Sequence, residues 1–588
     1  MKRLALVVAV FWAIAGAGLA QEALIPAGSI NSAFAKGPHA VIVGTDAGVA
    51  DYARRIRRQF LAEAQFLTGA EALEVDLSGT SLLVYGTPAD NVWLAQYADR
   101  LPVRFGDGEL HLQDRSFRGS HLRGIFAIRN PEDTSRRAVV YTAPKSSDIV
   151  DINDLYHGPT EWVVADGGRL LESGSYKVTG PLPADALAAD LEFLVETLLE
   201  VHPATADGVP KEVESAIETA RAAIEEPLDR RGFWSVANRL LLSLSDAHTA
   251  LAPLDNGRTI NLPVRWLEDG LIVELDTAQL ERGDRILSIG GLEPATIQVG
   301  LAGLIPAETP SWLRHRGEAA LASTSTLEAL GVDVAETVPV RVERRGGEVA
   351  VELPVGESPR RGKIEPWARF DIDRKRDLGV FTLDRCQFND FYRRRLREFF
   401  ASVEGSGIGR IAIDVRANTG GNSQVLDEFM RYLPVQAYST YSAGIRISKQ
   451  SVAQRGDEME LGLGYHEFDA QVRENDPATG IEPFAGEVFV LTSNATFSSG
   501  NWFAVVLGDN DIAPVVGEPT GNAPSCYGDI LSFDLPATNL SFSMSFKRWI
   551  RPDPTRDPAR SLEPDVLIPM TRADLIAGRD PVLEFFNE

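Results

Sequence analysis

Apolar and polar positions alternate in three distinct ways along this chain, and each regime predicts a different kind of element. In residues 184–250, Leu187, Leu191, Leu194, Val195 and Leu198 recur at the spacing of one buried helical face, and Pro203 closes that helix. Two further helices fit 210–226 and 229–245. In residues 258–356 the period shortens to two. Gly283–Gly291 reads as a strand closing on a double-glycine turn, and Val338–Val342 and Val349–Leu353 flank the hairpin signal Arg344-Arg345-Gly346-Gly347. Residues 297–335 read as a mainly helical insertion between them. Elsewhere short apolar runs lead into helical stretches. His39–Gly44 and Ser81–Gly86, both ending in glycine, do so at the front of the chain; Leu378–Leu383, Ile411–Val415 and Val488–Leu491 do so in its last third. Strands that alternate with helices predict mostly parallel sheets.

The pattern therefore predicts an α/β and α+β multidomain protein. Its parts are an N-terminal α/β domain (21–180), a linker at Gly180–Pro183, a helical segment (184–257), a β-rich module with a helical insertion (258–356) and a second α/β unit (366–588). Residues 1–20 are set apart from the fold. Lys2 and Arg3 precede the apolar run Leu4–Ile14, and small residues follow up to Ala20, which is the pattern of a secretory signal cleaved after Ala20. The mature protein is expected to be soluble and periplasmic or secreted, with no membrane association after cleavage.

Composition narrows the chemistry. The 588 residues carry 58 Lys+Arg against 83 Asp+Glu, a formal charge of −25, which argues against nucleic-acid and anionic-membrane partners. Two cysteines exclude a disulfide scaffold and a cysteine-rich metal module. No Gly-x-Gly-x-x-Gly opens a helix, and no His-Glu-x-x-His spacing occurs, so neither a cofactor nor a metal is expected.

One turn concentrates the candidate chemistry. Thr496-Phe497-Ser498-Ser499-Gly500 follows a buried strand and enters a helix, which sets the Ser498 hydroxyl beside unpaired N–H groups and the helix dipole. An oxyanion formed by attack on a carbonyl would be stabilised there. The plainer alternative is that Ser498 only caps its helix. Asn418-Thr419-Gly420-Gly421 also joins a buried strand to a helix, and its glycines allow a backbone N–H to approach a ligand closely. It reads either as a second oxyanion donor or as a tight loop. A nucleophilic serine needs a base. Beyond Ser498 the chain has Lys547 and no histidine, so the base comes from upstream or is Lys547.

Together these segments resemble the tail-specific or C-terminal processing serine peptidases, a family that also takes in the tricorn core protease and interphotoreceptor retinoid-binding protein. The resemblance spans about 184–570 and follows the family's order. It is carried by His202-Pro203, Asp246-Ala247-His248-Thr249, a divergent PDZ-like stretch around Gly283–Ile286, Asp414-x-Arg416-x-Asn418-x-Gly420-Gly421, the Ser498 turn, Gly517-Glu518-Pro519-Thr520 and Glu563-Pro564-Asp565. It implies a crotonase-like catalytic core with a helical cap, a peptide or protein substrate, and Ser498 as nucleophile. The oxyanion hole falls to Gly420, Gly421 and Ser499. The lysine usual in bacterial members falls at Ala523, and their frequent glutamate falls at Asn501. The resemblance therefore shifts to members with a histidine base, here His248. Ala247 stands where those members have a serine, which leaves Glu563 as the candidate to orient the base and Asp246 as a loop cap. Two other readings stay open, a non-catalytic binding protein on the same fold and an esterase using the same serine. In an exported protein, Cys386 and Cys526 are candidates for a disulfide that pins the loop carrying Ala523.

Overall fold

The computed structural model describes residue 30 and residues 38–587, apart from 99–100, 107–108, 114, 156–159, 175, 177–180, 254–256, 358–365, 457–460 and 557–560. The expected signal at 1–20 and the head of the linker lie outside these residues. The chain divides into two compact units. One comprises the chain up to Asp190 with Glu226–Arg230 and Asp534–Leu540; the other comprises Leu191–Glu225, Arg231–Phe533 and Ser541–Glu588.

The first unit is built on a seven-stranded sheet. Its order is Arg169–Gly174, Trp162–Asp166, Leu122–Asn130, Asp133–Thr142, Ser81–Tyr85, His39–Val43, Gln65–Thr68. Both faces are covered. Val41, Val43, Leu83, Tyr85, Val139 and Tyr141 pack on one side, and Ala40, Ile42, Leu82, Val84, Ala138 and Val140 on the other. The expectation of a mostly parallel sheet is corrected here. Pairings on the His39–Val43 side are parallel, whereas those on the Trp162 side are antiparallel. Tight turns at 131–132 and 167–168 create the antiparallel half, and Gly167 supplies the positive φ of 58° that the second turn requires. The helix expected near 89–99 is confined to Val92–Gln96, with the Asn91 side chain accepting from Trp93 N and Leu94 N at its start.

In the second unit, helices Ala184–Val201 (which starts in the first unit), Lys211–Ala223 and Arg230–Leu242 precede a six-stranded sheet. That sheet runs Arg258–Ile260, Gly347–Glu357, Thr337–Arg344, Arg285–Ile289, Gly270–Val273, Val264–Leu267, with antiparallel neighbours throughout. Arg345 and Gly346, with φ of 52° and 81°, make its predicted hairpin turn. Helices Pro294–Ala302, Pro310–Ala320 and Thr324–Ala329 form the insertion. Another six-stranded sheet follows, in the order Ala368–Asp373, Leu378–Leu383, Arg410–Asp414, Glu487–Thr492, Val515–Gly517, Val566–Leu567. Its first pairing is antiparallel and the rest are parallel. Helices Asp390–Ser406, Gln424–Met430 and Ser499–Asp509 pack around it over a core that includes Tyr392, Phe399, Phe429 and Phe503. Finally, Ala250–Leu251 joins the edge of a sheet made by Ser541–Ile550, Ser442–Ile447 and Gly464–Phe468, with Cys526–Asp534 paired to Ser541–Ile550. This last sheet anchors the loop that carries His248. Among the described residues no helix is long and apolar enough to cross a membrane.

Candidate active site

The turn at Ser498 is held from two sides. Phe497 N donates to Asn418 O at 2.9 Å. Ser498 N donates to Asn522 Oδ1 at 2.8 Å, and Gly521 N donates to Thr496 O at 2.8 Å. Ser498 takes φ 53° and ψ −126°, a conformation that costs a non-glycine residue energy and persists only where its surroundings impose it. Its side chain caps nothing: helix Ser499–Asp509 starts without a side-chain bond from Ser498, and the Oγ makes no hydrogen bond among the described residues. The helix-cap alternative is thereby removed.

Gly420 faces this serine directly. A Cβ at Gly420 would stand 2.6 Å from Ser498 Cβ and 3.0 Å from Ser498 Oγ, and Gly420 holds φ +108°. Gly421, at φ +134°, would collide with the Cys386 carbonyl at 2.2 Å. The loop needs glycine at both places. The Gly420 N–H is already committed to Asn418 Oδ1 at 2.8 Å. Asn418 is fully buried and fixed in turn by donating Nδ2 to Leu383 O at 2.8 Å. The Gly421 and Ser499 N–H groups donate to nothing among the described residues. Ser499 Oγ donates to Gly421 O at 2.7 Å, which ties the two segments together. Of the glycine pair, Gly421 thus has the open donor and Gly420 provides the clearance.

His248 comes from the loop after helix Arg230–Leu242. Ser543 Oγ donates to His248 O at 2.7 Å, and Ser545 N donates to Thr249 Oγ1 at 3.0 Å, so the sheet strand Ser541–Ile550 fixes the loop. The His248 ring stacks on Phe497, the neighbour of Ser498, with centroids 4.5 Å apart. Phe497 stacks in turn on Trp312 of the helical insertion at 3.8 Å. His248 Nδ1 is buried and has no hydrogen-bond partner among the described residues. Burial lowers the pKa of the ring, and Asp246 and Asp529 only partly oppose that effect.

Asp246 is fully buried, and it caps its loop as the sequence suggests: Oδ1 accepts from His248 N at 2.9 Å. It does more than that. Oδ2 accepts from Thr249 Oγ1 at 2.5 Å and from His202 Nε2 at 3.1 Å. His202 Nδ1 accepts from Ala204 N at 3.1 Å, which assigns the His202 proton to Nε2. Burial alone would raise the Asp246 carboxyl. The hydrogen bond and electrostatic pull of His202, the pull of His248 and the Thr249 hydrogen bond outweigh it and hold the carboxyl far below the usual range.

Glu308, from the insertion, escaped sequence reasoning because it lies in no motif. Its Oε1 accepts from Ala247 N at 3.4 Å and its Oε2 from Ala523 N at 3.1 Å. Burial and the Asp246 charge push its pKa up to about 8 against the two N–H donors. One ring nitrogen of His248 and one oxygen each of Asp246 and Glu308 lie within 4.8 Å of one another. Among the described residues this is the group with donor atoms close enough to share a cation. All four of its carboxylate oxygens already accept N–H or O–H groups.

The remaining expected residues fall elsewhere. Glu563 is exposed, and the carboxyls that cluster with His248 are Asp246 and Glu308. Lys547 Nζ is paired with Asp529 at 2.6 Å. Asn501 Nδ2 donates to Asn522 O at 3.2 Å and Ala523 O at 3.3 Å, so the side chain that stands for the family's glutamate pins the loop from which the lysine is missing. The expected Cys386–Cys526 disulfide is not formed. Cys386 Sγ donates to Asn418 Oδ1 at 3.4 Å, and burial pushes this thiol up to about 12. Cys526 Sγ instead accepts from Asn522 Nδ2 at 3.3 Å.

Residues 380–568 match the model of Peptidase family S41. No curated protein matches the chain. Among solved structures, mature CPAF complexed with lactacystin is similar at a TM-score of 0.50 and 16% identity, over 68% of this chain and 97% of that one. The photosystem II D1 C-terminal processing protease is similar at a TM-score of 0.37 and 16% identity, over 65% and 93%. The tricorn protease gives a TM-score of 0.33 and 13% identity, over 74% and 40%.

Proposed function

We propose that the chain is a serine-type peptidase, a reading supported by the match of residues 380–568 to the Peptidase family S41 model, and that it cleaves peptide bonds through an acyl-enzyme formed on Ser498 with His248 as base. The observation that carries this reading is the Ser498 turn. A strained serine at a helix head has an uncommitted hydroxyl, a glycine loop against it and a histidine stacked on its neighbour. The Ser498 Oγ electron pair forms the bond to the scissile carbonyl carbon while its proton passes to a His248 ring nitrogen. The resulting oxyanion lies between the Gly421 and Ser499 N–H groups, which are the open donors, at the positive end of helix Ser499–Asp509. The imidazolium then protonates the leaving amine, and water, activated by the same ring, releases the acyl group. A ring held neutral by burial is ready to accept a proton at pH 7. Lys547, already paired with Asp529, is the poorer base.

Substrates are peptides or proteins. The antiparallel module at 258–356 stands where the sequence places the PDZ-like stretch, and a module of that kind would bind an extended substrate by strand addition. The leader at 1–20 routes the enzyme to the periplasm or the medium. The test is turnover of an unstructured protein substrate and of a matched ester by wild type and Ser498→Ala. Peptide cleavage by wild type that Ser498→Ala abolishes is expected. Ester turnover without peptide cleavage would replace the reading by an esterase.

A further inference from the structure

Two carboxyls cluster with the His248 ring, and they are held in different ways. Asp246 Oδ1 lies 3.8 Å from His248 Nδ1, beyond hydrogen-bond reach, and the Asp246 oxygens are engaged by His202, Thr249 and the His248 backbone. Among the described residues Glu308 is held by backbone N–H groups and by no side-chain hydrogen bond. Its oxygens take the N–H of Ala247, next to the base, and the N–H of Ala523, the position at which relatives are expected to carry a lysine. One carboxylate therefore joins the loop of the base to the loop beside the nucleophile, with an oxygen within 4.8 Å of a base nitrogen. The residue that follows it, Thr309, donates its hydroxyl to Gly521 O, and three residues further on Trp312 stacks on Phe497. The insertion that carries Glu308 is thus fastened to the nucleophile turn as well.

We propose that Glu308 is the positioning carboxylate of the catalytic base, taking the part expected of Glu563: it sets the His248 loop and, when ionised, stabilises the imidazolium formed as Ser498 gives up its proton. The proposal rests on the Ser498–His248 reading. The groups that face Glu308 are Asp246 and His248 from their loop and Tyr527 from strand Cys526–Asp534. Asp529 acts on His248 from that same strand. Asp246 is already ionised across the working range, so Glu308 is the carboxyl whose charge changes near neutrality. Ionisation of Glu308 adds a negative charge close to the nascent imidazolium and lowers the barrier to its formation.

The test is the pH profile of kcat/KM for one peptide substrate between about pH 5.5 and 9.5, in wild type and Glu308→Gln, with a cooperative thermal transition as the check of folding. In wild type a rise of about tenfold is expected across pH 8, the change that about 1.36 kcal/mol of barrier produces. Glu308→Gln lacks this rise, stays at the lower level throughout and keeps the acid limb set by His248. A Glu308→Gln profile that runs parallel to that of wild type, scaled or unscaled, overturns the proposal, because a merely structural carboxyl does not change the shape of the curve. If Glu308→Gln fails to fold, the deciding measurement is the titration of the His248 ring in ¹³C-histidine-labelled Ser498→Ala, with the resonance identified by its loss in His248→Asn. A second inflection near pH 8 supports coupling to Glu308, and a single step overturns it. Failure of the underlying reading is separate: it appears as wild-type turnover that His248→Ala leaves unchanged.

Discussion

Replacing His248 by alanine should lower kcat/KM by about 10²–10⁴, the usual loss when a general base is removed, while Lys547→Ala leaves it within a few-fold. Steady-state kinetics on folded variants checks both. Because burial lowers the pKa of the ring, the acid limb of wild-type kcat/KM should have its midpoint below the ordinary histidine value of about 6.5. Asp246 offers a residue-scale test of stability. Its folded carboxyl is far below its unfolded value, so its contribution is fully present above about pH 3.9 and is lost as pH falls through the range beneath. Asp246→Asn sets an amide N–H₂ against the His202 and Thr249 donors and should cost about 3 kcal/mol in urea unfolding at pH 7. The gap between the two proteins should narrow below about pH 3.9. Ser498, Gly421 and His248 were legible as residues because short motifs fix them locally. Glu308 was not, because nothing in a sequence records which carboxyl a helical insertion folds back onto a distant loop.

At the scale of elements, the chain's periodicities located the helices of 184–242, the Arg345-Gly346 hairpin and the strands that lead into the Asn418 and Ser498 turns. They did not show the antiparallel half of the N-terminal sheet. Its strands are as apolar on both faces as parallel ones, and only the turns at 131–132 and 167–168 reverse the chain. Nor did they show the sheet that joins Ala250–Leu251 to Ser541–Ile550, a pairing of segments almost 300 residues apart that holds the base loop in place. The insertion helix Pro310–Ala320 was expected but not its use. Trp312, 6% exposed, stacks on Phe497, which supports the base. Trp312→Ala should therefore cost about 3–5 kcal/mol, read as a lower Tm, and should reduce kcat/KM although Trp312 lies in no catalytic motif. A variant with an unchanged Tm and unchanged turnover would detach the insertion from the site.

At the scale of the whole molecule, the expectation of a disulfide failed for a physical reason. Cys386 is buried against Asn418, and Cys526 is held by Asn522. The loop beside the nucleophile is pinned by Asn501, Asn522 and Glu308, so it needs no covalent tie. Thiol titration of the unfolded, unreduced protein should find both thiols. N-terminal sequencing of the exported protein should begin at Gln21. In the proposed mechanism a single serine, activated by His248, carries the chemistry of the chain. The decisive measurement is intact-mass analysis and peptide mapping after reaction with a fluorophosphonate. One adduct per chain is expected, on Ser498, formed much more slowly in His248→Ala and absent in Ser498→Ala. A folded wild-type protein that takes up no label, or takes it up elsewhere than Ser498, would contradict it.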